Sequence, residues 1–231
     1  MLPVPSPSMA LVSRHQVREG RAPLQFDPAP GPRAAPRPGE HPGMVVVPPD
    51  ASVEAVAALV RQRLDALPGR RLATLVIWCH GEPGLLRLCD PPVTIDRLGP
   101  WVRAWAGRID EVILIACRVA AIGTAREVKD GINAGDIDPA VARSPQAMRA
   151  MVAQMDGNQF CSRLASGLRC RVTAATATQW NFTMGGIGLP SYPRNHIPDF
   201  EGEVFTWGPT GAIVGRRSLP SGRMNGDLHN S

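Results

Sequence analysis

With 231 residues, 44% of them hydrophobic and 19% charged, the chain has the composition of one globular domain plus an appendage. Its formal charge of +5 comes from 24 arginines and the single lysine Lys129, scattered along the chain, and one tyrosine with five phenylalanines does not interleave with them as a nucleic-acid surface requires. No run of about 18 apolar residues is present, so no membrane span is expected, and the opening MLPVPSPSMALV lacks the charged flank and unbroken apolar centre of a secretory signal.

Residues 1–42 hold ten of the 24 prolines and no sustained apolar period, which predicts a disordered, Pro-rich leader acting as a tether. Order is expected to begin with MVVV at 44–47, a short buried strand. Asp50 or Ser52 can cap a helix with Val56, Leu59, Val60, Leu64 and Leu67 on one face, and Pro68-Gly69 ends it. A second apolar run over 72–79 completes a strand-helix-strand unit, which predicts parallel pairing and a right-handed crossover.

After His80 and Gly81, the segments over 85–88 and around Val93 flank Asp90-Pro91-Pro92 and predict a small surface hairpin or loop. A helix is expected from Thr94, with Ile95, Leu98, Val102 and Trp105 on one face and Gly107 near its end. VILIA at 112–116 is a third buried strand. Over 118–157 the pattern weakens at Gly123, Gly131, Gly135 and Asp138-Pro139, which predicts an insertion or activation loop holding a short helix over 145–155.

Asp156 or Asn158 then caps a helix with Phe160, Leu164 and Leu168 at four-residue spacing, and a fourth strand follows over 172–177. Beyond a Gly- and Pro-rich stretch over 181–202, the segments 203–207 and 212–216 around GPTG predict a β-hairpin. The last residues, 218–231, read as a frayed tail. The expected architecture over 43–217 is a three-layer α/β domain, a mainly parallel sheet with helices on both faces.

Two of these strands deliver one reactive side chain each at the carboxyl end, His80 and Cys117, at the edge where α/β sheets collect ligands. An ordinary thiol, with a pKa of about 8.5, is only a few per cent thiolate at neutral pH, so a nucleophilic Cys117 needs a base. His80 is the only histidine inside the expected sheet and titrates near neutrality. Gly81 lets the N–H after the histidine approach a substrate carbonyl, and with the N–H of Cys117 it can form an oxyanion hole.

Plainer readings compete. A cysteine at a strand end is commonly a small buried hydrophobe, and His-Gly after a strand is commonly a turn. The five cysteines are odd in number and sit in apolar patterns, which predicts reduced thiols and a reducing compartment. Cys79, Cys161 and Cys170 read as core residues, and Cys89 as an exposed loop thiol with no activating partner. A metal site built from Cys79, His80, Cys89 and Cys117 fits poorly, because neighbours in a strand point to opposite faces and no C-x-x-C pair exists. His196 reads as a surface residue, His15, His41 and His229 fall in expected disorder, and the sequon Asn181-Phe182-Thr183 is set against the reduced-thiol pattern.

The blocks LVIWCHG and VILIAC resemble the signature of the caspase-like, clan CD cysteine peptidases. The likeness is closest to bacterial branches, CHAT-type domains and the self-processing protease domains of large toxins, in HGEPGLLRL and GNQFCSRLASGLRCRVTAATA, and it covers residues 72–178. The resemblance implies a caspase/hemoglobinase fold, with His80 as catalytic histidine, Gly81 as oxyanion-hole glycine and Cys117 as nucleophile. It further implies cleavage of a protein or peptide substrate, including self-processing, without metal or organic cofactor. The insertion over 118–157 is longer than in those branches, and no residue matches a specificity pocket. On this basis the chain is expected in the cytoplasm or delivered out of a producing cell as an effector, with any activating partner unidentified. A catalytically silent interaction module on the same fold and a small-molecule hydrolase or transferase remain as rivals.

Overall fold

The computed structural model describes residues 8–13, 44–48, 50–134, 137–178 and 200–219. In chain order they form β1 (Ser8–Ser13), β2 (Met44–Val47), α1 (Val53–Ala66), β3 (Leu72–Trp78), β4 (His80–Glu82) and β5 (Leu85–Arg87). Then come α2 (Gly99–Trp105), β6 (Ile109–Ile115), α3 (Ala125–Ala134), α4 (Pro145–Gln154) and α5 (Gly157–Leu168). β7 (Arg171–Ala175), β8 (Gly202–Trp207) and β9 (Ile213–Leu219) close the sequence. The result is an α/β fold whose main sheet runs β2-β1-β3-β6-β7-β8-β9, parallel from β2 to β7 and antiparallel through β8 and β9.

The connections explain where the helices lie. From β2 to β3, from β3 to β6 and from β6 to β7 the chain steps in one direction across the sheet, and right-handed crossovers in one direction must share a face. Accordingly Val56, Val60 and Leu64 of α1, Trp101 and Trp105 of α2, and Phe160, Leu164 and Leu168 of α5 join Leu75, Ile77, Val112 and Leu114 in one buried cluster. The opposite face holds a second cluster, Ala10, Val76, Trp78, Ile113, Ile115, Ala175, Phe200 and Val204, with no helical member among the described residues. The expected helical cover is thus seen on one face, and the step from β1 to β2, the one that reverses direction, lies outside the described residues.

Local signals placed most elements. Ser52 caps α1 by accepting from Ala55 N–H at 3.1 Å, and Asp156 caps α5 by accepting from Gln159 N–H at 2.8 Å. The helix expected from Thr94 instead begins as a single 3₁₀ turn, Ile95–Arg97, and becomes α-helical at Gly99, with Pro100 at its start. Trp101 and Trp105 stack at 4.6 Å between ring centroids and donate their indole N–H groups to the carbonyls of Val53 and Ala57, which fastens α2 to α1.

Four expectations need correction. The leader over 1–42 contains strand β1, inserted between β2 and β3 with Ala10 opposite both Met44 and Val76. Met9, Ala10 and Leu11 are buried there, but three apolar residues among prolines show no period of their own. The insertion over 118–157 is largely helical, since Thr124 and Glu127 form a reciprocal capping box for α3 and Ser144 caps α4. Cys89 is buried with Leu86, Leu88 and Val93 rather than exposed. The hairpin extends to Leu219, two residues into the expected tail, while β7 stops at Ala175. The remaining leader residues, 220–231, and His15, His41, His196, His229 and the Asn181 sequon lie outside the described residues.

Candidate active site

β3 and β6 pair in parallel with Ile77 opposite Leu114 and Trp78 opposite Ile115. Cys79 N–H continues the ladder by donating to Ile115 O at 3.2 Å. The pairing ends there, and His80 and Cys117 each lie two residues beyond the last pair, at the carboxyl ends of neighbouring strands. The residues just before them, Cys79 and Ala116, belong to the helix-covered cluster. His80 and Cys117 are both half-buried, whereas Cys79 and Ala116 are sealed.

Past Cys79 the chain leaves the sheet and folds back as the hairpin β4–β5, with His80 opposite Arg87 and Gly81 opposite Leu86. Gly81 is the closest approach to the second strand end. A Cβ there would sit 2.8 Å from both Ala116 Cβ and Cys117 O, and 3.2 Å from Cys117 N. Only a glycine lets this backbone rest on the residue expected to act as nucleophile. The Nε2 of His80 is shielded from solvent.

After Cys117 the backbone turns sharply. Arg118 takes a left-handed φ of +54° and donates its N–H to Ala177 O at 3.0 Å, and Ala120 N–H donates to Ala175 O at 3.1 Å, so this turn is stitched to the end of β7. The insertion then departs and returns through one stem: Gly123 N–H donates to Met155 O and Gly157 N–H to Ala121 O. Gly157 is obligatory there, since a Cβ would lie 2.1 Å from Val119 O and 2.4 Å from Ala121 O.

The hairpin and the insertion form facing walls of a cleft of about 810 Å³. Gly81, Glu82 and Arg87 line one side, and Arg118, Glu127, Asp130, Ile137, Asp138 and Met151 line the other. Glu82 accepts from Arg87 at 2.7 Å, and Glu127 is ion-paired with Arg118. His80 and Cys117 do not themselves line this cleft; the residues that follow each of them in the chain, Gly81 and Arg118, do.

Burial separates the thiols. Cys117 is the only one of the five that is not buried. Burial, reinforced by Cys89 and Cys117, pushes the Cys79 thiol up, against a hydrogen bond from the Arg87 backbone. Burial likewise pushes Cys161 up, and it raises Cys89 and Cys170 to about 12 each, with smaller contributions from Glu54 and from Glu111 and Asp110 respectively. These four are protonated, inert core residues at neutral pH. For Cys79, Cys161 and Cys170 this matches the expectation from sequence; for Cys89 it replaces an exposed thiol by a buried one.

No group of three or more potential metal ligands converges among the described residues. No helix there is long and apolar enough to cross a membrane. The cleft wall formed by Arg118, Glu127, Asp130 and Asp138 carries no motif of its own, although Thr124-Ala125-Arg126-Glu127 is a T-x-x-E spacing that announces a capped helix. No protein-family model, curated protein or solved structure matches the chain.

Proposed function

We propose that the chain is a cysteine endopeptidase with a three-layer, caspase-like fold, in which Cys117 is the nucleophile and His80 the general base. The observation that carries this reading is the contact of the Gly81 backbone with Ala116 and Cys117, because it joins the two strand ends that hold the reactive side chains. Strand order supports it too. The sheet reverses direction between β1 and β3, and such switch points in α/β sheets open a crevice at the carboxyl ends, where His80 emerges.

In the proposed reaction His80 takes the thiol proton of Cys117, and the thiolate attacks the scissile carbonyl carbon. The negative charge that develops on the carbonyl oxygen is met by the N–H groups of Gly81 and Cys117. The C–N bond breaks as His80 returns the proton to the leaving amine, leaving a thioester on Cys117. Water, deprotonated by His80, then releases the acid and restores the thiol.

The cleft supplies room for several substrate residues. Its four lining carboxylates all have partners within the chain, Glu82 with Arg87, Glu127 with Arg118, Asp130 with Arg126 and Asp138 with the Ala140 N–H, so the lining by itself selects no charge in the peptide. The test is cleavage of a peptide library by the wild type and by Cys117→Ala, read by mass spectrometry. Cleavage that survives the substitution removes Cys117 from the role; a wild type that cuts nothing, its own chain included, leaves the interaction module in its place.

A further inference from the structure

We propose that Arg118 and Glu127 are positioning residues, whose ion pair locks helix α3 of the insertion against the turn that carries Cys117 and so sets the orientation of the nucleophile. The inference rests on reading Cys117 as the reactive thiol, and it assigns the insertion a task inside the site rather than beside it.

The turn after Cys117 needs support. Arg118 holds a left-handed backbone that residues with a Cβ adopt only where the surroundings impose it. One support is the backbone bond to Ala177, and the other is the guanidinium, whose Nη1 reaches Glu127 Oε1. Glu127 is itself immobilised. Its other oxygen, Oε2, accepts from Thr124 N–H at 2.7 Å and from Thr124 Oγ1 at 3.0 Å, so the capping box holds the carboxylate while its free oxygen faces the arginine.

This division of the carboxylate distinguishes the pair from an ordinary surface salt bridge. Exposed pairs contribute little because two long side chains must be ordered to meet. Here Glu127 is only 20% exposed and already fixed by α3, so of the two side chains only that of Arg118, 40% exposed, has to be ordered for the pair to form. Gly81 packs on Cys117 from the hairpin side while Arg118, next in the chain, ties it to the insertion, and these two neighbours line opposite walls of the same cleft.

The experiment uses the full chain with Glu127→Gln, Arg118→Gln, the double variant, Arg118→Gly and Arg118→Lys. Glutamine can keep the capping box through its carbonyl oxygen while it replaces the charged acceptor facing Arg118 with a neutral N–H donor. Two readouts are taken: kcat and KM on a cleaved peptide, and the alkylation rate of Cys117 by iodoacetamide, followed by peptide mass spectrometry. Each single glutamine variant is expected to lower kcat by about tenfold with KM within about twofold, and the double variant to be no worse than either, as residues acting as one unit require. Arg118→Gly relaxes the backbone yet loses the clamp, so it should fall with them, while Arg118→Lys recovers part of the loss.

Additive losses, a wild-type kcat in Arg118→Gly, or an effect confined to the melting temperature would each overturn the clamp. The alkylation readout separates this from the peptidase reading. If even the wild type cleaves no peptide, the proposed function fails, whereas an alkylation rate of Cys117 that still changes in Glu127→Gln supports the clamp and an unchanged rate rejects it.

Discussion

The helix-covered face of the sheet and the carboxyl edge of the same strands are built from opposite materials. On the face, Leu64, Trp101, Trp105 and Phe160 are fully buried, and the two indole N–H groups find backbone carbonyls, so no polar atom of these side chains is left to attract a ligand. At the edge, half-buried His80 and Cys117 are each followed in the chain by a residue of an open cleft, Gly81 and Arg118, and that cleft is lined by paired charges, Arg87 with Glu82 and Arg118 with Glu127. All four inert thiols belong to the face and the one accessible thiol to the edge. The same residue type therefore serves as packing or as a candidate reagent according to which side of a strand end it occupies.

Substitutions can break that contrast in either direction. The largest effect is expected from Cys117→Ala, which should lower kcat/KM by about 10⁶-fold while leaving the melting temperature near that of the wild type. A large drop in melting temperature would move Cys117 into the core. The mirror experiment is Phe160→Ala on the sealed face, expected to cost about 3–5 kcal/mol in chemical denaturation with kcat retained under folding conditions.

Gly81→Ala tests the contact between the two regions. The added methyl must displace the Ala116 Cβ and the Cys117 carbonyl oxygen it would meet at 2.8 Å, so kcat/KM should drop about 10²-fold, the scale of a lost oxyanion donor, with a modest loss of stability. An alanine variant as active as the wild type would detach the hairpin from the chemistry.

The smallest effect sharpens the contrast among thiols. Cys89 and Cys170 stay protonated in the folded chain to about pH 12, against an ordinary value of about 9. Above pH 9 the unfolded chain therefore binds fewer protons than the folded one, and stability falls as pH rises by about 1.4 kcal/mol per unit for each such thiol. Urea midpoints measured between about pH 8 and 10.5 should decline, and Cys89→Ala should flatten the slope. A slope unchanged by that substitution would mean that Cys89 ionises freely in the folded chain.

Much of this layout could be read from residue order. Uninterrupted apolar runs marked β2, β3 and β6, helical spacing marked α1 and α5, and a cap at Asp156 marked the start of α5. The ends of β3 and β6 singled out His80, Gly81 and Cys117 because the carboxyl ends of strands are where α/β sheets collect ligands. Strand β1 escaped notice since SMALVS has neither length nor period, and only pairing on both sides makes it a strand. Cys89 was misplaced for a related reason: its neighbours Asp90, Pro91 and Pro92 read as surface, but Leu86, Leu88 and Val93 draw the segment under the sheet edge.

What the sequence by itself determined is the α/β class, the identity of the central strands and the three residues at their ends, because burial on both faces and turn chemistry leave their mark in local patterns. Only the tertiary structure decided that Gly81 rests on Cys117, that Arg118 meets Glu127 and that the insertion walls a cleft. Those contacts join residues that are far apart in the chain or set by a single left-handed turn. No local periodicity records them, because they follow from strand register and from where a loop returns.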